Sequence, residues 1–224
     1  IDVGGTNIER GSINTQWSPD SKWLTYAKSA SNNFRQVKVW SVESNETKVM
    51  TDPLADAFAP SWDRGGKHLY FLASTDVALG SGWANTSAMA SSPEYGAYVI
   101  VLREGEDSPF APKSDEEPVK KEKEDKDKKK DESAEAKTEQ PKKPAPKKNP
   151  GAAVDTVKID WNNLARRTLA LPIPVNNYRF TMMGPKGSVF IGERVENTPA
   201  ITLKKFELKT AKLSTFVGAV RNLA

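Results

Sequence analysis

Two stretches of this chain repeat one short phrase at a fixed distance. Residues 16–27 are QWSPDSKWLTYA, and residues 61–73 are SWDRGGKHLYFLA. In each copy a turn rich in Pro, Asp or Gly precedes an apolar, aromatic-rich run, which is typical of a turn followed by a β-strand. The matching pairs, 45 residues apart, are Trp17 with Trp62, Lys22 with Lys67, Leu24 with Leu69, and Tyr26 with Phe71. A repeat of this length predicts propeller blades of four short strands.

The repeat divides the chain into three units, at residues 12–52, 56–172 and 176–218. The predicted fold class is therefore all-β, a partial β-propeller of about three four-stranded antiparallel blades. Residues 1–10 are interpreted as the tail of a preceding blade. Because propellers usually close with at least about four blades, we expect the parent protein to be longer.

The apolar runs within these units also predict strands and a core. Strands are expected near residues 23–28, 37–42, 67–73, 97–103, 187–192 and 203–208. Burial is expected for Trp17, Leu24, Tyr26, Leu69, Phe71, Val99, Val101, Val189 and Phe206.

A charged segment interrupts the second unit. Residues 113–149 contain 13 Lys, 11 Asp or Glu, and no aromatic residue. Such a composition buries too little apolar surface to offset its ordering entropy, so we predict a long disordered insertion. The predicted domain organisation is propeller blades at 1–112, the insertion, and propeller blades continued at 150–224.

Composition argues against several classes of protein. The net charge of +4 comes partly from the mixed-sign insertion, whereas a nucleic-acid binder needs a one-signed basic face with interleaved aromatic residues. The chain has no Cys, which removes disulfides and thiolate metal sites. No apolar stretch approaches the roughly 20 residues that span a bilayer. We therefore expect no nucleic acid, membrane, metal or cofactor.

Candidate catalytic features are few. The opening IDVGGTN resembles the phosphate-binding loop of sugar kinases of the actin-like fold, but without the elements that should follow it we interpret it as a hairpin turn. His68, the only histidine, is interpreted as a structural residue in the middle of a strand. Turn roles are expected for Asp20, Asp52, Asp56, Asp63 and Asp160. No catalytic residue is assigned.

The loop at residues 74–96 is the best candidate for a functional segment. It combines Trp83, Met89 and Tyr95 with small residues, between two predicted strands. Long loops of this kind often carry function, so these three residues are candidates to line a substrate channel. The alternative is a loop that only covers the edge of a blade.

Several segments together resemble bacterial homologues of the tricorn protease. They are WSPDSKWLTYAKS, APSWDRGGKHLYFLAST, SPFAPKSDEE before the insertion and RRTLALPIPVNNY after it. The resemblance covers nearly the whole chain. The SPD-x-K turn is shared by many propellers, including that of the periplasmic Tol system, whereas the FLAST strand and the two flanks of the insertion are more specific.

The resemblance implies a role in peptide degradation. Tricorn proteases are hexameric serine peptidases with two propellers, a PDZ domain and a catalytic core. The chain resembles part of the second propeller, which implies gating and channelling of peptide substrates in the cytoplasm, without catalysis by this portion. In the alternative interpretation it belongs to a stand-alone Tol-like propeller, a protein-interaction module. For the compartment, a periplasmic or exported location is the alternative.

Overall fold

The structure is a computed structural model that describes residues 14–32, 34–75, 94–111, 156–195 and 200–220. The chain divides into two compact units, one formed by Ile1–Phe110 with Ala153–Ala224 and the other by Ala111–Ala152. The predicted insertion and the IDVGGTN opening lie outside the described residues. No helix in the described part is long and apolar enough to cross a membrane.

Three four-stranded antiparallel sheets make up the described part of the first unit, each formed by consecutive strands. The first contains β1 (Gln16–Trp17), β2 (Trp23–Ser29), β3 (Arg35–Ser41) and β4 (Thr47–Val49). The second contains β5 (Asp56–Trp62), β6 (His68–Ser74), β7 (Gly96–Val101) and β8 (Thr168–Ala170). The third contains β9 (Tyr178–Met183), β10 (Ser188–Arg194), β11 (Ile201–Glu207) and β12 (Lys212–Val220). The predicted all-β fold and all six predicted strand positions are confirmed.

The repeated phrase forms the same hairpin in the first two sheets. Trp17 pairs with Leu24 in the first, and Trp62 pairs with Leu69 in the second. In both turns the residue two places before the second strand takes the left-handed conformation, with φ of 59° at Ser21 and 68° at Gly66. Glycine adopts this φ without strain, whereas serine carries a Cβ that opposes it. The two copies therefore keep one backbone geometry with different residues.

The core lies between adjacent sheets. One cluster joins Val37 and Val39 of the first sheet to Trp62, Leu69 and Ile100 of the second. Another cluster joins the second and third sheets and includes Tyr70, Leu72, Val99, Tyr178, Val189 and Phe206. Because side chains alternate along a strand, β5, β6 and β7 of the middle sheet each contribute to both clusters.

Two of the predicted core positions in the first sheet need correction. Trp17 is 51% exposed, and Leu24 is only half-buried. Trp17, Leu24 and Trp40 are directly paired across β1, β2 and β3, so they share the face opposite Val39. In the second sheet the equivalent residue Trp62 is buried because the first sheet covers its face, but no described sheet covers Trp17. The other seven predicted core residues are buried.

The predicted positions of two polar residues also change. His68 is the first residue of β6, not a mid-strand residue, and it is half-buried. Asp56 lies within β5 rather than in a turn, and it is fully buried. Its carboxylate forms a bidentate pair with Arg35 at the start of β3, with 2.6 Å between Arg35 Nη2 and Asp56 Oδ2. The pair links the first sheet to the second.

Candidate functional site

A groove of about 740 Å³ opens between the first and second sheets. One wall is formed by the end of β4 and the loop that follows it, from Val49 to Ala55. The floor is formed by β6 and β7, and the opposite wall by residues 161–165, which lead into a short 3-10 helix at Leu164–Arg167. Sites that bind small molecules or peptide side chains commonly have this size.

Aromatic rings make the floor of the groove apolar. Phe71 and Tyr98 are register partners on β6 and β7, and their rings are stacked with centroids 5.4 Å apart. The small residues Ala57 and Ala73 also line the groove, and they leave room above the rings. The floor follows from sheet pairing, because residues directly opposite each other on antiparallel strands present their side chains to the same face.

Trp161 in the opposite wall is positioned by contacts between distant parts of the chain. Its ring lies 6.3 Å from the ring of Trp23, measured between centroids. The backbone N–H of Val157 donates to Asp20 Oδ2 at 2.8 Å, and Trp23 Nε1 donates to the carbonyl of Val157 at 3.4 Å. The repeat turn of the first sheet therefore holds the segment that carries Trp161.

The guanidinium group of Arg167 secures the same segment from its other end. It donates to the carbonyl oxygens of Val101, at 2.7 Å, and Asn162, at 2.9 Å, and also to that of Asp160. Asp160 in turn accepts a hydrogen bond from the backbone N–H of Glu104 at 2.8 Å. The wall is thus tied to the outer end of the second sheet by polar contacts.

The charged side chains that line the described part of the groove are acidic. Asp52 and Glu94 both line it and are exposed, and the described lining contains no Lys, Arg or His. Asp52 also caps its own loop, since the N–H of Leu54 donates to its Oδ1 at 2.7 Å. In the described ranges, no group of three or more His, Cys, Asp or Glu side chains could hold a metal ion.

The predicted channel residues are placed only in part. Trp83 and Met89 lie outside the described residues. Tyr95 is 5% exposed; its ring packs edge-on against Phe58 at 4.9 Å, and its backbone exchanges two hydrogen bonds with Asn176. Tyr95 is thus a core residue here, and a channel lined by this loop stays a prediction. Sequence reasoning missed Trp161, whose only signal is an aromatic residue among the turn-forming residues of DWNN.

A second polar cluster joins the second and third sheets at Asp63. The carboxylate accepts hydrogen bonds from Gly187 N–H at 2.8 Å, across the sheet interface, and from Gly65 N–H at 3.1 Å. His68 Nδ1 lies 3.7 Å from Asp63 Oδ2, too far for a hydrogen bond, so the contact is electrostatic. Burial opposes ionisation, but His68 and the two N–H donors outweigh it and lower the pKa of Asp63 below 3.8.

This shift predicts how acid affects stability. A carboxyl group whose pKa is lowered by folding stabilises the native state above its unfolded pKa, and that contribution disappears as the pH falls through its folded pKa. We expect Asp63→Asn to lower the free energy of unfolding at about pH 6 and to have a smaller effect at about pH 3. Urea unfolding at both pH values measures this, with the exposed Asp107→Asn as control. An equal loss at both pH values would show that Asp63 acts only through packing.

The comparisons with known proteins concern the fold. No protein-family model matches the chain, and no curated protein sequence matches it. The crystal structure of the tricorn protease is similar over 90% of this chain and 18% of that chain, at 15% sequence identity and a TM-score of 0.53. The structure of putative TolB from Agrobacterium tumefaciens is similar over 89% of this chain and 46% of that chain, at 9% identity and a TM-score of 0.45. The three stacked four-stranded sheets and the similarity to the tricorn protease identify the fold as a segment of a β-propeller.

Proposed function

We propose that this chain is the propeller portion of a tricorn-like serine peptidase, and that it gates and channels peptides to a separate catalytic core. The observation that carries the proposal is the similarity of the three stacked sheets to the tricorn protease over 90% of this chain. The chain spans only 18% of that protein, so the catalytic core, the PDZ domain, the first propeller and the hexameric assembly belong to the proposal.

The groove supports a binding role rather than a chemical one. Its floor is apolar and its rim carries two exposed carboxylates, which suits contact with peptide side chains. Peptide hydrolysis needs an activated nucleophile beside a base, together with donors aimed at the developing oxyanion. In this proposal the nucleophile, its base and the oxyanion donors all belong to the separate catalytic core. The parent protein is proposed to act in the cytoplasm.

We expect these blades to control which peptides enter the parent protein, and not the rate at which its core cleaves them. Purified residues 1–224 are expected to cleave no peptide, whereas the parent protein cleaves both short and long ones. Deleting these blades from the parent should leave the turnover of short chromogenic peptides similar and weaken discrimination by peptide length, because the blades control entry. Steady-state kinetics over a series of peptide lengths measures both effects.

Two results would contradict this proposal. One is peptidase turnover by residues 1–224 that His68→Ala abolishes, since the activity would then reside in this chain. The other is a parent protein without a serine-peptidase core, which would favour an interaction module instead. The matched control is the parent protein with intact blades and a substituted nucleophile, because it still admits peptides but cannot cleave them.

A further inference from the structure

We propose that the groove between the first two sheets binds a peptide segment in which a Lys or Arg side chain is flanked by large apolar residues. The inference deepens the proposed function, on which it rests for the choice of a peptide as ligand. Its physical basis is a combination of aromatic floor, acidic rim and absence of basic groups in the described lining.

The aromatic surfaces suit both parts of such a segment. Tyr98, stacked on the nearly buried Phe71, is the accessible aromatic surface of the floor, and Trp161 faces the same groove from the wall. Aliphatic side chains gain from burial against rings, and the long stem of a Lys or Arg can lie along apolar surface while its charged head stays in water. A volume of about 740 Å³ holds several side chains at once.

The chain itself shows that this tryptophan interacts with a cation. Lys48 Nζ lies 4.8 Å from the centroid of the Trp161 ring, within the distance of a cation–π interaction. Lys48 does not line the groove, although its neighbour Val49 does. Because Lys48 already lies against this ring, the charged head of an incoming Lys or Arg is attracted by the rim carboxylates, and Trp161 offers apolar surface to its stem.

Electrostatic complementarity selects the sign of the ligand. Asp52 lies in the loop after β4 and Glu94 lies just before β7, yet both line this groove. Because both are exposed, each retains its hydration and its attraction for a cation is screened by salt. Like charges brought to the same rim are repelled, so an acidic peptide is disfavoured. The carboxylates therefore provide charge selectivity, and the aromatic floor provides contact area.

The test measures binding directly on residues 1–224 by isothermal titration. The probe is acetyl-Ala-Leu-Lys-Leu-Ala-amide, and the matched peptide carries Glu in place of Lys. The Lys peptide is expected to bind and the Glu peptide to bind at least about tenfold more weakly, since repulsion replaces attraction. Higher salt should weaken binding of the Lys peptide and reduce the difference between the two.

Variants locate the site. Glu94→Gln and Asp52→Asn should each weaken the Lys peptide by roughly two- to fivefold, the range of an exposed ion pair. Trp161→Leu should weaken it by about tenfold through loss of the apolar surface that the ring offers to the ligand. Glu43→Gln, an exposed acidic residue that does not line the groove, is the control and should leave affinity unchanged. Unchanged urea midpoints for Glu94→Gln and Asp52→Asn show that the fold is intact.

Several outcomes would overturn the inference. They are no binding of the Lys peptide at millimolar concentration, equal binding of the Glu peptide, or affinity unaffected by neutralising both carboxylates. The length discrimination of the parent protein is a separate measurement, so these outcomes would leave the gating function standing. Conversely, residues 1–224 could bind the Lys peptide selectively while the parent protein shows no discrimination by peptide length. That result would support the groove as a peptide site and contradict the gating function.

Discussion

Replacement of Asp56 by Ala is expected to lower the free energy of unfolding by about 3–5 kcal/mol. Asp56 is fully buried at the first position of β5, and its carboxylate is the partner of Arg35. Besides the pair with Nη2, it accepts from Arg35 Nε at 3.1 Å and from the Arg35 backbone N–H at 2.7 Å. Removing the carboxylate leaves a mostly buried guanidinium and a backbone donor without these acceptors, and each loss carries a desolvation cost.

The cost arises from breaking the pair, not from its net contribution to stability. Buried ion pairs are expensive to desolvate, and a matched apolar replacement often recovers much of the loss. The double variant Arg35→Met with Asp56→Leu should therefore be more stable than Asp56→Ala alone. Recovery should be incomplete, because the Arg35 guanidinium also lies 3.8 Å from the centroid of the Phe58 ring and its backbone N–H needs an acceptor.

Urea unfolding measures these differences, provided that the slope with denaturant stays constant between variants. The control is Glu46→Ala, which removes an exposed pair with Lys48 at 3.9 Å in the first sheet. Exposed pairs contribute at most about 1 kcal/mol, so this variant should be close to the original protein. A loss below about 1 kcal/mol for Asp56→Ala would mean that the two sheets are not coupled through this pair.

Replacement of Phe206 by Ala should have an effect of similar size, about 3–5 kcal/mol. Phe206 has no exposed surface, and its ring packs edge-on against Phe110 in the cluster between the second and third sheets. Close-packed sheets cannot collapse fully around a missing ring, so the cavity adds to the lost burial. The same urea measurement applies.

The third sheet offers a matched control in Phe216. It is also a phenylalanine, but it is 59% exposed on β12 and contacts Phe190 with 4.9 Å between ring centroids. Phe216→Ala should cost less than about 1 kcal/mol, as surface substitutions usually do. Equal effects at the two positions would contradict the assignment of the core to the space between the sheets.

The sequence by itself determined the local architecture of this protein. The turn-strand phrase predicted the hairpins, and Trp17 pairs with Leu24 as Trp62 pairs with Leu69. Hairpins depend on a few neighbouring residues, since turn chemistry and alternation set the register over short distances. The three sheets, their antiparallel order and most of the core could therefore be predicted without any long-range information.

Only the tertiary structure decided which equivalent residues are buried and which side chains meet. Trp17 and Trp62 occupy the same position of the repeat, yet one is exposed and the other buried, because in the described part of the chain a neighbouring sheet covers only the second. The Arg35–Asp56 pair and the groove wall at Trp161 likewise join residues from separate sheets or segments. Such contacts depend on how sheets stack, and a periodic sequence is the same whether or not a neighbour lies over a given face.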